Sequence, residues 1–230
     1  PTPAGLLSSA KFNGVKPSGF ECILGVGRVR EVFVLTIRLP RQSRAVPRMN
    51  SILITGCNRG LGLGLIKCFL KLPTPPRHVI ATCRNLQQAE ELKSLAEQHS
   101  NLHVLQIDLK AIDQYENFAK EVETIVQDNG LNVLFNNAGV SPKSTRLNFT
   151  KSDDLTDTFM TNVVAPIMLT KALVPLLKQA AEANASAPVG PTKACIVNMS
   201  SILGSIEANS DGGLYAYRTS KSALNSATKS

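Results

Sequence analysis

Residues 51–62 read Ser51-Ile52-Leu53-Ile54-Thr55-Gly56-Cys57-Asn58-Arg59-Gly60-Leu61-Gly62. A short apolar run ends in glycine and opens into a periodic segment, as a buried strand does when it turns into a helix. Three glycines suit a sharp turn that aims a helix N-terminus at a pyrophosphate. Gly56 permits the turn, Gly60 lets the backbone approach the phosphates, and Gly62 lets the helix lie close to the sheet. Asn58, Arg59 and Leu61 complete the candidate phosphate-binding turn. A glycine-rich loop without a ligand has the same composition; placement at the first strand-to-helix turn weighs against that plainer reading.

Downstream the alternation continues. Residues 60–72 read as the helix, stopped by Pro73 and the Pro75-Pro76 pair. His78 to Thr82 reads as a strand, 86–99 as a polar-faced helix, and Leu102 to Ile107 as a third strand. A helix over 113–128 then leads to a fourth strand, Leu131 to Phe135. A longer helix spans about 152–181, and Pro166 and Pro175 are expected to bend or divide it. A loop over 183–193 precedes the fifth strand, Ala194 to Asn198, and a helical stretch follows Tyr215. Strands alternating with helices predict an α/β fold, a Rossmann-like doubly wound parallel sheet with helices on both faces. That domain occupies 49–230.

Residues 1–48 differ in kind. They hold eight Lys/Arg and two Asp/Glu, a net of +6 out of +8 for the whole chain, which leaves +2 for 49–230. The domain therefore has no strong field for polyanions, and the leader's charges lack interleaved aromatics, so nucleic-acid binding is not expected. Met49 stands directly before the first strand, which favours it as the natural start and makes the leader non-native or disordered. A transit peptide, suggested by the Arg-rich, acid-poor composition, and a genuine extra element around the apolar run 32–37 stay open. No run of eighteen apolar residues occurs, so no membrane span is expected. The five cysteines include no C-x-x-C pair and the three histidines no metal-ligand spacing, which disfavours a disulfide framework and metal chemistry. A reducing compartment, hence a cytoplasmic location, is the expectation.

Two further segments bear on a dinucleotide. Asn136-Asn137-Ala138-Gly139 ends the fourth strand, where a buried amide such as Asn136 can tie strands together. There Ala138 and Gly139 leave room for a cofactor, although Asn and Gly are also common turn formers. After the second strand stands Ala81-Thr82-Cys83-Arg84-Asn85, without the acid that holds the ribose hydroxyls of NAD. Arg84 and Arg59 instead suit a 2′-phosphate, which selects NADP(H). Asp108, after the third strand, is a candidate acceptor for the adenine amine.

The chemistry is suggested by Tyr217-Arg218-Thr219-Ser220-Lys221. Residues four apart share a helix face, so phenol and ammonium can address one site. A carbonyl that receives hydride becomes an alkoxide and must be protonated. Tyrosine can supply that proton once a nearby cation lowers its pKa from about 10. Tyr215 is a rival phenol but lies off that face. Ser200 and Ser201 end the fifth strand, where this fold presents catalytic groups, although strand-end serines also satisfy backbone groups.

Taken together these motifs resemble the short-chain dehydrogenase/reductase family, and 49–222 is most similar to its sniffer and C-factor-like carbonyl reductases through Ser-Ser-Ile-Leu-Gly-Ser and Gly-Gly-Leu-Tyr-Ala-Tyr. The resemblance implies a tetrad of Asn162, Ser201, Tyr217 and Lys221, with Tyr217 and Lys221 also touching the cofactor. It alone favours Ser201 over Ser200, and it alone separates Asn162 from an ordinary exposed helical asparagine. The implied function is NADPH-dependent reduction of a small-molecule carbonyl to an alcohol, with room for a homodimer. The runner-up is a non-catalytic dinucleotide-binding or redox-sensing module. Family members continue well beyond the tyrosine helix, whereas residue 230 comes nine positions after Lys221. The chain is therefore expected to be C-terminally incomplete and inactive by itself.

Overall fold

The computed structural model describes residues 22–24, 33–35, 49–143 and 146–230. The chain divides into two compact units, Pro1–Val46 and Pro47–Ser230. In the first, β1 (Cys22–Leu24) pairs antiparallel with β2 (Phe33–Leu35), part of the apolar run 32–37. The remaining expectations for 1–48 lie outside the described residues.

The second unit is built on five parallel strands. They are β3 (Ser51–Ile54), β4 (His78–Cys83), β5 (Leu102–Gln106), β6 (Val133–Asn136) and β7 (Cys195–Asn198), in spatial order β5-β4-β3-β6-β7. The chain winds outward from β3 to β5, then crosses back to start β6 on the other side of β3. Neighbouring crossovers that leave in opposite directions open a crevice at the carboxyl ends of β3 and β6. Ile52, Leu53 and Ile54 are almost fully buried, as a strand covered on both faces requires. The doubly wound parallel sheet expected from the sequence is the fold observed.

Among the described residues six helices flank it: α1 (Gly60–Leu70), α2 (Glu90–Gln98), α3 (Tyr115–Val126), α4 (Ser152–Phe159), α5 (Ala165–Ala183) and α6 (Tyr215–Lys229). Leu53, Ile80 and Leu134 from the sheet meet Phe118 and Val122 of α3 and Leu169 and Leu173 of α5 in the main core. The continuous helix 152–183 is long and apolar enough to cross a membrane, but Leu169, Leu173, Leu176 and Leu177 are spent inside this core.

Helix and strand limits differ from the sequence reading in places. The stretches 86–99 and 113–128 each contain short 3-10 turns, Leu86–Gln88 before α2 and both Ile112–Gln114 and Gln127–Asn129 around α3. The fourth strand starts at Val133, because Asn132 turns inward to accept from the N–H groups of Asn50 and Ser51. The long helix is divided by a π-turn, Met160–Val164, which ends two residues before Pro166. Pro166 falls in the first turn of α5, where its missing N–H costs little, and Pro175 is accommodated inside the helix.

Candidate active site

The glycine turn connects β3 to α1 in the crevice. Gly56 and Gly60 have φ of +73° and +60°, a conformation that glycine adopts without penalty. A Cβ at Gly60 would meet nothing within 4 Å, so this backbone faces open space, as a ligand-approach position should. A Cβ at Gly62 would lie 2.2 Å from the Gly56 carbonyl oxygen and 2.7 Å from Asn137 Nδ2. Gly62 therefore lets α1 close onto its own turn and onto the Asn137 amide. Cys57 is buried within the turn, and burial pushes its thiol up to about 12. A thiol held protonated in this way is no nucleophile at neutral pH.

Asn136, the last residue of β6, and Asn137 diverge because successive strand residues point to opposite faces. Asn136 points across the sheet, donating to Asn198 Oδ1 at 2.9 Å and Thr170 Oγ1 at 3.3 Å. Asn137 points into the glycine turn and donates to Thr55 O at 2.8 Å. Thr55 Oγ1 in turn accepts from the N–H groups of Asn137 (3.1 Å) and Ala138 (3.0 Å). Asn137 and Thr55 are thus the braces of the turn, and neither stood among the candidate site residues. Strand alternation after β6 was the available signal.

At the adenosine end, Cys57 N–H donates to Thr82 O at 2.8 Å, stitching the glycine turn to the end of β4. Arg59 and Arg84 extend from these joined segments. Both are exposed, and neither enters an ion pair among the described residues. Two guanidiniums without carboxylates leave their donor forks available to an anion. Asp108, half-buried after β5, accepts from Lys110 N–H through Oδ1 at 2.9 Å. Asn58 and Leu61 stand in the turn and in the first turn of α1.

Of the four positions expected to form a tetrad, Asn162, Tyr217 and Lys221 come together near Gly139, and Ser201 follows the end of β7. Asn162 is 1% exposed and sits on the π-turn, a helix irregularity frequent at functional sites. Its Oδ1 accepts from Val140 N–H at 2.9 Å, and its Nδ2 donates to Val140 O at 2.9 Å and Ser220 Oγ at 3.0 Å. Ser220 Oγ donates onward to Tyr217 O at 2.8 Å. Where Gly139 lacks a Cβ, the nearest atoms are Asn162 Oδ1 at 3.3 Å and Lys221 Nζ at 3.6 Å from the ideal Cβ position. The segment after β6, the π-turn and α6 therefore converge on one point.

Lys221 is 3% exposed. Its Nζ donates to Met199 O at 2.7 Å and lies 5.8 Å from the centre of the Tyr217 ring. Burial lowers its pKa to about 8. Tyr217 is half-buried beside it, whereas Tyr215 faces outward. The two serines separate as well. Ser200 Oγ is tied to Asn225 Oδ1 of α6 at 2.5 Å. Ser201 caps the 3-10 turn Ile202–Gly204, accepting from Leu203 N–H at 3.1 Å, which leaves its own hydroxyl proton for another acceptor. Gly204 presses this turn onto α6, because a Cβ there would lie 2.9 Å from the Lys221 backbone carbon. The sequence reading had not singled out Gly204.

Residues 50–230 match the short chain dehydrogenase family. The chain belongs to that family. Its fold matches the carbonyl reductase Sniffer of D. melanogaster with a TM-score of 0.78 at 62% identity, over 79% of this chain and 73% of that one. The NADPH-bound carbonyl reductase from chicken fatty liver matches with a TM-score of 0.74 at 37% identity, over 79% and 72%. Retinol dehydrogenase 5 of Mus musculus is 34% identical over 175 residues, 76% of this chain and 50% of that protein. The chain spans about half the length of the first curated relatives it matches. As a short-chain dehydrogenase it is of oxidoreductase lineage.

Proposed function

We propose that the full-length protein reduces a carbonyl group to an alcohol with NADPH, using Tyr217 as the proton donor. The observation that carries this reading is Lys221. A cation is rarely buried without a carboxylate, because losing its hydration is expensive. Among the described residues Lys221 has no acidic partner, only the Met199 carbonyl and the face of the Tyr217 ring. Such a cation makes sense as a device to favour the phenolate form of its neighbour.

The residues present fit a nicotinamide dinucleotide. The open backbone at Gly60, the braced turn and the helix N-terminus suit a pyrophosphate, and Arg59 and Arg84, which enter no ion pair among the described residues, suit a 2′-phosphate. Gly56, Asn58, Leu61 and Gly62 would line the phosphate end, with Asp108 at the adenine and Asn136, Ala138 and Gly139 along the inner edge. When bound, NADPH supplies the hydride. Tyr217 then donates its phenolic proton to the forming alkoxide, Ser201 donates a hydrogen bond to the same oxygen, and Lys221 holds positive charge beside the phenol. Asn162 fixes the wall formed by Val140 and, through Ser220, the backbone of Tyr217.

The test is to titrate NADPH into the full-length protein by fluorescence and then follow its oxidation when an aromatic aldehyde is added. Saturable binding with turnover supports the reading. Saturable binding without turnover across a panel of aldehydes, ketones and quinones would favour a non-catalytic dinucleotide module.

A further inference from the structure

Between Ser201 and Tyr217 runs a loop whose hold on the site depends on a neighbour of the tyrosine. Arg218 is 8% exposed, and no carboxylate pairs with it among the described residues. Its Nε donates to Gly212 O at 3.2 Å. Gly212 is the first of three successive left-handed residues, with φ of +63° at Gly212, +66° at Gly213 and +49° at Leu214. Glycine adopts that conformation freely, but Leu214 carries a Cβ and is strained in it. Leu214 is also the residue from which α6 starts, and its carbonyl accepts from Arg218 N–H at 2.9 Å.

The rest of the loop has little to hold it. Ala208 N–H donates to Ser205 Oγ and Gly212 N–H to Asn209 Oδ1, both within the loop. Ile206 is 85% exposed. The Arg218 guanidinium thus reaches from α6 to fasten the 205–213 loop. It fastens the loop where the backbone is most strained, one turn from the phenol.

We propose that Arg218 is a positioning residue for Tyr217. By pinning the Gly212 carbonyl it maintains the left-handed entry 212–214, and that entry sets the direction in which the first turn of α6 presents the phenol towards Ser201. This role rests on the reductase reading given above. It predicts that loosening the loop lowers the rate of the chemical step with little effect on dinucleotide affinity, because the glycine turn, Arg59, Arg84 and the segment after β6, which carry most of the expected contacts, lie on other elements.

The experiment uses the full-length protein, its Arg218→Ala and Arg218→Lys variants, and Asn209→Ala, which loosens the same loop from its outer side if Arg218→Ala does not fold. Two quantities are read: cleavage after the exposed Glu207 by a glutamate-specific protease, and kcat with the Kd for NADPH. Arg218→Ala should be cut faster at Glu207 and lose about tenfold or more in kcat, since small misplacements of reacting groups are costly, with Kd unchanged within about twofold. Arg218→Lys, whose ammonium can still donate to Gly212 O, should recover most of both. Unchanged cleavage, or faster cleavage with kcat unchanged, overturns the positioning role while the reductase reading stands. Absence of turnover in the unsubstituted protein overturns the reductase reading, and the positioning role with it.

Discussion

The side-chain amide of Asn162 pairs with the backbone of Val140 on both sides, accepting from its N–H and donating to its carbonyl, each at 2.9 Å. This two-point contact joins a buried helix residue to the segment that leaves β6. The π-turn at 160–164 brings that amide to bear there, and its second donor bond reaches Ser220 beneath Tyr217. One residue thereby ties the segment after β6 to the tyrosine helix.

Asn162→Ala removes both bonds at once. Val140 is partly exposed and water can replace some of the loss, so destabilisation should be about 1–2 kcal/mol, the lower part of the range for unmet polar groups. Asn162→Asp keeps the acceptor for Val140 N–H but sets a carboxylate against Val140 O, so it should not rescue. Denaturant unfolding of both variants checks this; an Asp variant as stable as the parent would remove the two-point account.

The glycine turn predicts a contrast between neighbouring positions. Gly62→Ala drives a methyl into the Gly56 carbonyl, with rigid backbone on both sides, and should abolish dinucleotide binding and lower the melting temperature. Gly60→Ala meets no atom and only strains the left-handed backbone, at roughly 1–2 kcal/mol. Calorimetry and fluorescence titration of the two variants should therefore rank Gly62→Ala as far more severe. The reverse order would mean the turn is held in some other way.

Lys221 gives the pH dependence its sign. Burial lowers its pKa from 10.5 to about 8, so in the folded protein it is charged below about pH 8 and neutral above. Reduction should slow as pH rises through that value, because the phenol loses its cation. Stability runs the other way. Between about pH 8 and 10.5 the unfolded chain binds more protons than the folded one, so this residue's penalty on folding is relieved as pH rises across that window. Lys221→Met should accordingly gain thermal stability over the parent at pH 7, with the gain shrinking towards pH 10. A gain that does not shrink over this range would contradict the assignment.

Much of this was legible in the sequence because it depends on local rules. The run Ile52-Leu53-Ile54 followed by spaced glycines announces a buried strand and a tight turn, and Tyr217 and Lys221 share a helix face by spacing alone. What stayed hidden depends on contacts distant in the chain. Nothing around Thr55 or Asn137 reveals that they bond each other across 82 positions. The π-turn at Asn162 could not be read either, because the prolines mark an interruption without giving its form, a π-turn at 160–164 that ends two residues before Pro166. Ser200 and Ser201 look alike until Asn225 of α6 claims the first.

Arg59 and Arg84 should set the preference for NADPH over NADH. Removing both guanidiniums by Arg59→Ala and Arg84→Ala should cost NADPH on the order of 1.5–3 kcal/mol of affinity, as for hydrogen bonds to charged groups, and NADH almost nothing. Fluorescence titrations with the two nucleotides measure this. Equal Kd values for NADPH and NADH in the unsubstituted protein would remove the basis for the phosphate clamp.

The proton-donor role of Tyr217 is tested most directly by the rate of NADPH oxidation in Tyr217→Phe, followed at saturating nucleotide with a carbonyl substrate. The substitution keeps the ring over Lys221 and removes only the hydroxyl. The predicted result is a fall in kcat of roughly 10²–10⁴-fold, the scale of general acid catalysis, with the Kd for NADPH within about twofold of the parent. A Tyr217→Phe protein that turns over at the parental rate would contradict the assignment of this residue as the proton donor, and with it the proposed mechanism.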